Sequence, residues 1–103
     1  MEAFPETVEI QFAWRSVQGP QVTARFQAQV EGYEPDARQV HCRLLTLLEV
    51  RTPPGVADPL LTAERLRALE GKRVWVPEEA LYGLILPLKR ETLTGGLRIP
   101  YFR

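Results

Sequence analysis

The side chains able to do covalent or metal chemistry are few, and their spacing works against it. Histidine and cysteine occur once each, as the neighbours His41 and Cys42. In a strand, adjacent side chains point to opposite faces. A zinc centre needs three or four such ligands, and an intramolecular disulfide needs a second cysteine. No metal and no cofactor are therefore expected. Ser16 is the only serine, and asparagine is absent. A serine triad would have to recruit Ser16, His41 and Asp36 or Asp58, but no Gly-x-Ser-x-Gly turn surrounds Ser16. Glu78 and Glu79 are the one adjacent acidic pair of interest. At a helix start such a pair complements the positive end of the dipole sooner than it does acid–base work. Gly95-Gly96 neither opens a helix nor precedes a Walker lysine, which argues against nucleotide hydrolysis. No catalytic residue is assigned, and the balance leans away from an enzyme.

Binding chemistry is better represented. From residue 72 onward the chain carries Lys72, Arg73, Lys89, Arg90, Arg98 and Arg103 against Glu78, Glu79 and Glu91. Trp75 sits within that basic stretch, between Val74 and Val76. Its position leaves open whether the ring is core or exposed. Aromatic rings interleaved with cations can stack nucleobases, so Lys72, Arg73, Trp75, Lys89, Arg90 and Arg98 form a candidate surface for RNA or a single strand. A second candidate is Leu84-Ile85-Leu86-Pro87, apolar on both faces. If that strand lies at an edge, its outer side would expose Ile85 and Pro87, and such a patch marks a protein partner or a homo-oligomer contact. Pro87 and Pro100 would blunt such an edge against unwanted strand pairing. The first third is acidic through Glu2, Glu6, Glu9, Glu31, Glu34 and Asp36, so the two ends differ in sign. That asymmetry also suits self-association.

The elements that hold these residues follow from periodicity. Residues 7–15 alternate, with Val8, Ile10, Phe12 and Trp14 on one face. Gln18-Gly19-Pro20 is a turn, and residues 21–31 alternate again through Val22, Ala24, Phe26, Ala28 and Val30. The pair reads as an antiparallel hairpin whose apolar face, rings included, is core. Arg38 to Arg51 is ambiguous. As a strand it lines up Val40, Cys42, Leu44, Thr46, Leu48 and Val50; as a helix it shows a stripe of Val40, Leu44, Leu47 and Leu48. Alternation decides for a strand. Thr52 to Pro59 is a proline-rich loop. A helix then starts from Asp58 or Thr62, buries Leu61, Leu66 and Leu69, and stops at Gly71. Arg73–Val76 is a short strand, Pro77–Leu81 a single helical turn, and Tyr82–Thr92 a strand. Leu97, Ile99 and Tyr101 return through a Gly95-Gly96 turn.

The expected fold is mainly β, of the α+β kind: a small, partly closed antiparallel barrel of about six strands. Its one helix lies between strands 3 and 4, and residues 1–103 form a single domain. The stretch from Ala63 to Pro77 resembles the helix–glycine–strand step in the N-terminal barrel of bacterial 16S rRNA-processing ribosome-maturation factors. The glycine-rich opening of that family is missing here, so no family is assigned.

Composition sets the outer bounds. The 103 residues are 45% hydrophobic and 25% charged, with 13 basic and 13 acidic side chains. These values suit a folded globular domain rather than disorder. Zero net charge argues against strong non-specific attachment to nucleic acid or anionic membrane. The start lacks a basic, then apolar, leader, and the run Ala80–Leu88 is too short to span a bilayer. A cytoplasmic protein without membrane attachment is expected. Eleven arginines to two lysines, nine prolines and no asparagine favour a heat-adapted source over mere GC-rich coding. The expected role is a non-catalytic binding module, for protein–protein interaction or self-assembly; RNA or single-strand binding is the alternative.

Overall fold

A computed structural model describes residues 6–89 and 101–102. The elements are β1 (Thr7–Arg15), β2 (Gln21–Glu34), β3 (Gln39–Arg51), α1 (Ala63–Arg67), β4 (Arg73–Pro77), a 3-10 helix (Glu78–Tyr82) and β5 (Ile85–Leu88). One five-stranded sheet, in the order β4-β3-β2-β1-β5, curls into a half-barrel. The mainly β architecture and the helix between the third and fourth strands match the reading of the sequence.

The β1–β2 hairpin pairs in regular register from Thr7–Gln29 to Arg15–Gln21. Its alternating apolar residues all reach the core: Ile10, Phe12, Trp14, Val22, Phe26 and Ala28 are fully buried. The three rings pack at centroid distances of 5.9 Å, Phe26 meeting Phe12 edge-on. That geometry suits the aromatic quadrupole. Trp14 Nε1 has no hydrogen-bond partner among the described residues.

The Arg38–Arg51 segment is a strand, and its two competing patterns have one cause. Between Gln27 and Ala28 the β3 partner jumps from Thr46 to Leu44, and between Arg25 and Phe26 it jumps from Glu49 to Leu47. Each jump is a β-bulge that inserts one extra residue. Inward positions therefore run Val40, Cys42, Leu44 and then, at spacings of three, Leu47 and Val50, which pack against the core. Two bulges thus imitate a helical stripe within a strand. They also turn Leu45 and Leu48 outward, to 36% and 43% exposure. The expectation that Thr46 and Leu48 share the inner face with Val40 is corrected by this register. Gly71 N donates to Leu44 O and Leu44 N to Lys72 O, while the Leu47 amide donates to Glu70 Oε2 at 2.7 Å. The chain beside α1 thus satisfies the β3 groups next to the first bulge.

Thr62 is the N-cap of α1, its hydroxyl accepting from Arg65 N at 3.3 Å. Asp58 does different work. Its carboxylate accepts from Val17 N at 3.0 Å and Leu60 N at 3.1 Å, tying the proline-rich loop to the β1–β2 turn. Leu61, Leu66 and Leu69 are buried as the helical pattern implies, and Gly71 follows with φ of 87°. That backbone conformation carries no Cβ penalty in glycine.

Three strand expectations need correction. Five strands, rather than about six, are present among the described residues. The sheet is not wholly antiparallel, since β5 runs parallel to β1 from Gln11–Ile85 to Trp14–Leu88. The strand expected from Tyr82 begins instead at Ile85, because the 3-10 helix extends through Tyr82 and Gly83 (φ 108°) turns the chain. The chain thus passes from β4 at one edge of the sheet to β5 at the other, beside β1. The Gly95-Gly96 turn, Leu97 and Ile99 lie outside the described residues. Tyr101 and Phe102 stand against β4: Trp75 N donates to Tyr101 O and Phe102 bridges to Val74.

Candidate functional site

The candidate residues fall on different strands of the curled sheet. On β4, Val74 and Val76 point into the core, so Trp75 belongs to the outer face. It is half-buried there, stacked on His41 of β3 at 4.1 Å with an interplanar angle of 8°. His41 lies directly opposite Trp75 in one ladder and opposite Gly32 in the other. A Cβ at Gly32 would stand 3.6 Å from Nδ1, an ordinary van der Waals contact, so the imidazole lies directly over this position. Nothing in the sequence alone reveals this pairing, because it depends on the β3–β4 register.

Lys72 is exposed just before β4, and Arg73 opens the strand with Nε 3.5 Å from Glu31 Oε1. Glu31 is the extra residue of a third bulge and also lies 3.2 Å from Arg43 Nε. Lys89 follows β5, at the opposite edge of the strand order. Arg90 and Arg98 lie outside the described residues. In the sheet order, the six residues proposed as one basic surface are thus represented at both edges: Lys72, Arg73 and Trp75 by β4, and Lys89 by β5.

The apolar stretch resolves more clearly. Leu86 pairs with Phe12 and is 1% exposed, so its assignment to an interface is corrected: it is a core residue. Leu84, Ile85 and Pro87 face outward, and Leu84 and Ile85 are 47% and 43% exposed. Tyr82, which the reading of the sequence left out of this surface, extends it with 74% exposure. Alternation had already set Ile85 and Pro87 on the outer side; the exposure of Tyr82 follows only from the 3-10 turn. Among the described residues β5 has β1 as its only strand neighbour, so this patch lies on a sheet edge.

A groove of about 520 Å³ runs across the outer face beside Ile85, floored by Glu9, Arg25, Glu49 and Arg51. Arg25 Nη1 donates to Glu9 Oε1 at 2.7 Å, and Arg51 Nε lies 3.3 Å from Glu49. The hydrogen bond that Arg25 donates to Glu9, and then the charge of that carboxylate, push the guanidinium upward. Each carboxylate of this row faces an arginine, as cross-strand pairing favours.

The remaining reactive types are placed without chemistry. The Cys42 thiol is buried and pushed up to about 12, first by burial and then by Glu31, which suppresses the nucleophilic thiolate. Ser16 is buried, and its Oγ has no hydrogen-bond partner among the described residues. No group of three or more His, Cys, Asp or Glu able to hold a metal occurs among the described residues. No described helix is long and apolar enough to cross a membrane. The fold defines the class as a small β half-barrel. No family model, curated protein or solved structure matches the chain.

Proposed function

We propose that this protein is a non-catalytic binding module whose contact surface is the β5 edge, used for protein–protein interaction or self-assembly. One observation carries the reading: Tyr82, Leu84 and Ile85, close together in the chain, are all substantially exposed beside an edge strand. Adjacent exposed apolar groups of this size favour a partner surface, and tyrosine is enriched in such contacts. Pro87 has no N–H to offer, so the edge is a poor template for strand addition. Contact through side chains fits it better.

The test places a photo-crosslinking residue at position 85 and, as a control, at position 65 on the exposed side of α1. Crosslinks to a protein, whether a second copy or another chain, are expected at 85 and reduced by Leu84→Lys. Light scattering across a concentration range separates the two partners. Absence of any protein crosslink at 85 would overturn the reading. The alternative, RNA or single-strand binding through Lys72, Arg73, Trp75 and Lys89, has weaker support. Trp75 already stacks on His41, Arg73 faces Glu31, and Lys89 follows the strand at the other edge. Oligonucleotide titration at two salt concentrations would promote it if tryptophan quenching appeared and weakened with salt.

A further inference from the structure

The outer face of the β2–β3–β4 ladder carries a row that the binding reading does not use: Gly32, His41 and Trp75, with Glu34 beside it. The imidazole is held between the Gly32 backbone and the Trp75 ring, and its side chain is 30% exposed. Its Nε2 is buried and has no hydrogen-bond partner among the described residues. Glu34 Oε2 stands 3.9 Å away, just beyond hydrogen-bond reach. The other charged groups around this row are Glu31 on β2, Arg43 on β3 and Arg73 on β4. Glu31 lies between the two arginines, at 3.2 Å and 3.5 Å, so its charge is already matched. Glu34 is the carboxylate paired with His41.

A neutral imidazole has one N–H; the protonated ring has two and a full charge. Both neighbours respond to that charge. A carboxylate accepts a charge-assisted hydrogen bond from it, and the face of an indole attracts it. We propose that His41 is a proton-operated clasp on the β2–β3 hairpin: protonation draws Glu34 onto Nε2 and reports itself at Trp75. Glu34 pairs with Gln39 in the last rung before the hairpin turn, and Arg38 O in that turn accepts from Glu78 N at 3.0 Å. The clasp therefore tightens the end of the hairpin that touches the 3-10 helix. The added pairing is present in acid and is lost as pH rises.

The test is a double-mutant cycle on the full chain, using Glu34→Gln and His41→Gln singly and together, melted at pH 5.5 and pH 8. These values span the range in which an imidazole changes charge. The coupling between positions 34 and 41 is expected to add roughly 1–5 °C to the melting temperature at pH 5.5, as for an exposed ion pair, and to vanish at pH 8. Equal coupling at both pH values, or none at either, would overturn the proposal. Tryptophan emission gives an independent reading without altering His41. It should fall between pH 8 and 5.5 in the wild type and stay level in Trp75→Phe. Glu34→Gln should alter this profile. A flat wild-type profile, or one that Glu34→Gln leaves unchanged, also defeats the clasp.

Discussion

Cys42 shows how the core handles a group that titrates. Buried among Val40, Leu44 and Val74, it stays protonated until about pH 12, whereas its ordinary value is 9.0. Above pH 9 the unfolded chain releases this proton while the folded chain keeps it. The unfolded state then binds fewer protons, so stability falls as pH rises; below pH 9 both states hold the proton and the contribution is complete. Between pH 8 and 10.5 the loss from this one group is at most about 2 kcal/mol. Urea unfolding at those two pH values should show a shallower loss in Cys42→Ala than in the wild type. The residue types at this scale were legible in the sequence: a lone cysteine beside a lone histidine excluded a disulfide from the start. Their environments were not, because the stacking of His41 on Trp75 joins strands more than thirty residues apart.

At the scale of elements, β3 gives the sharpest discrimination between pattern and register. Regular alternation would put Leu44 and Leu48 on one buried face, but the bulges leave Leu44 fully buried and Leu48 exposed. Leu48→Lys should therefore change stability by no more than about 0.5 kcal/mol, as surface substitutions do. Leu44→Lys places an unpaired charge in the core and should cost more than about 4 kcal/mol, or prevent folding. Chemical denaturation of both variants checks this; equal costs would restore the unbulged register. The paired part of the β1–β2 hairpin was legible because nine residues of β1 and their partners alternate without interruption, whereas β2 continues past the expected end at residue 31 to Glu34, through a stretch whose glycine and proline read as a loop. The extra residues of β3 have no local signature: Leu45 and Leu48 belong to a run of leucines, and only the pairing with β2 shows which of them is expelled.

For the whole molecule, the question is how an open sheet keeps its core dry. Phe102 bridges to Val74 on β4, the first strand of the sheet order, while its ring packs 5.8 Å from Phe12 on β1. It links strands that are not neighbours across the mouth of the half-barrel. The ring is only half-buried, so Phe102→Ala should cost roughly 1–3 kcal/mol, less than a fully buried phenylalanine. It should also raise the accessibility of Phe12 and Trp14. Thermal unfolding and acrylamide quenching of tryptophan emission measure the two effects. An unchanged melting temperature would remove Phe102 from the closure of the core.

Local patterning by itself determined the mainly β character, the first hairpin, a helix between the proline-rich loop and Gly71, and the aromatic core; it left the cap open between Asp58 and Thr62, which the structure settles for Thr62. Those features depend on side-chain period and on the backbone preferences of neighbouring residues, which a single chain displays directly. Tertiary structure alone decided that β5 enters parallel to β1, that Tyr82 is left outside, and that Lys89 follows a strand at the opposite edge from Trp75. Each of these depends on which strand lies beside which. Distant segments settle that jointly, by filling one core, and no window of adjacent residues contains it.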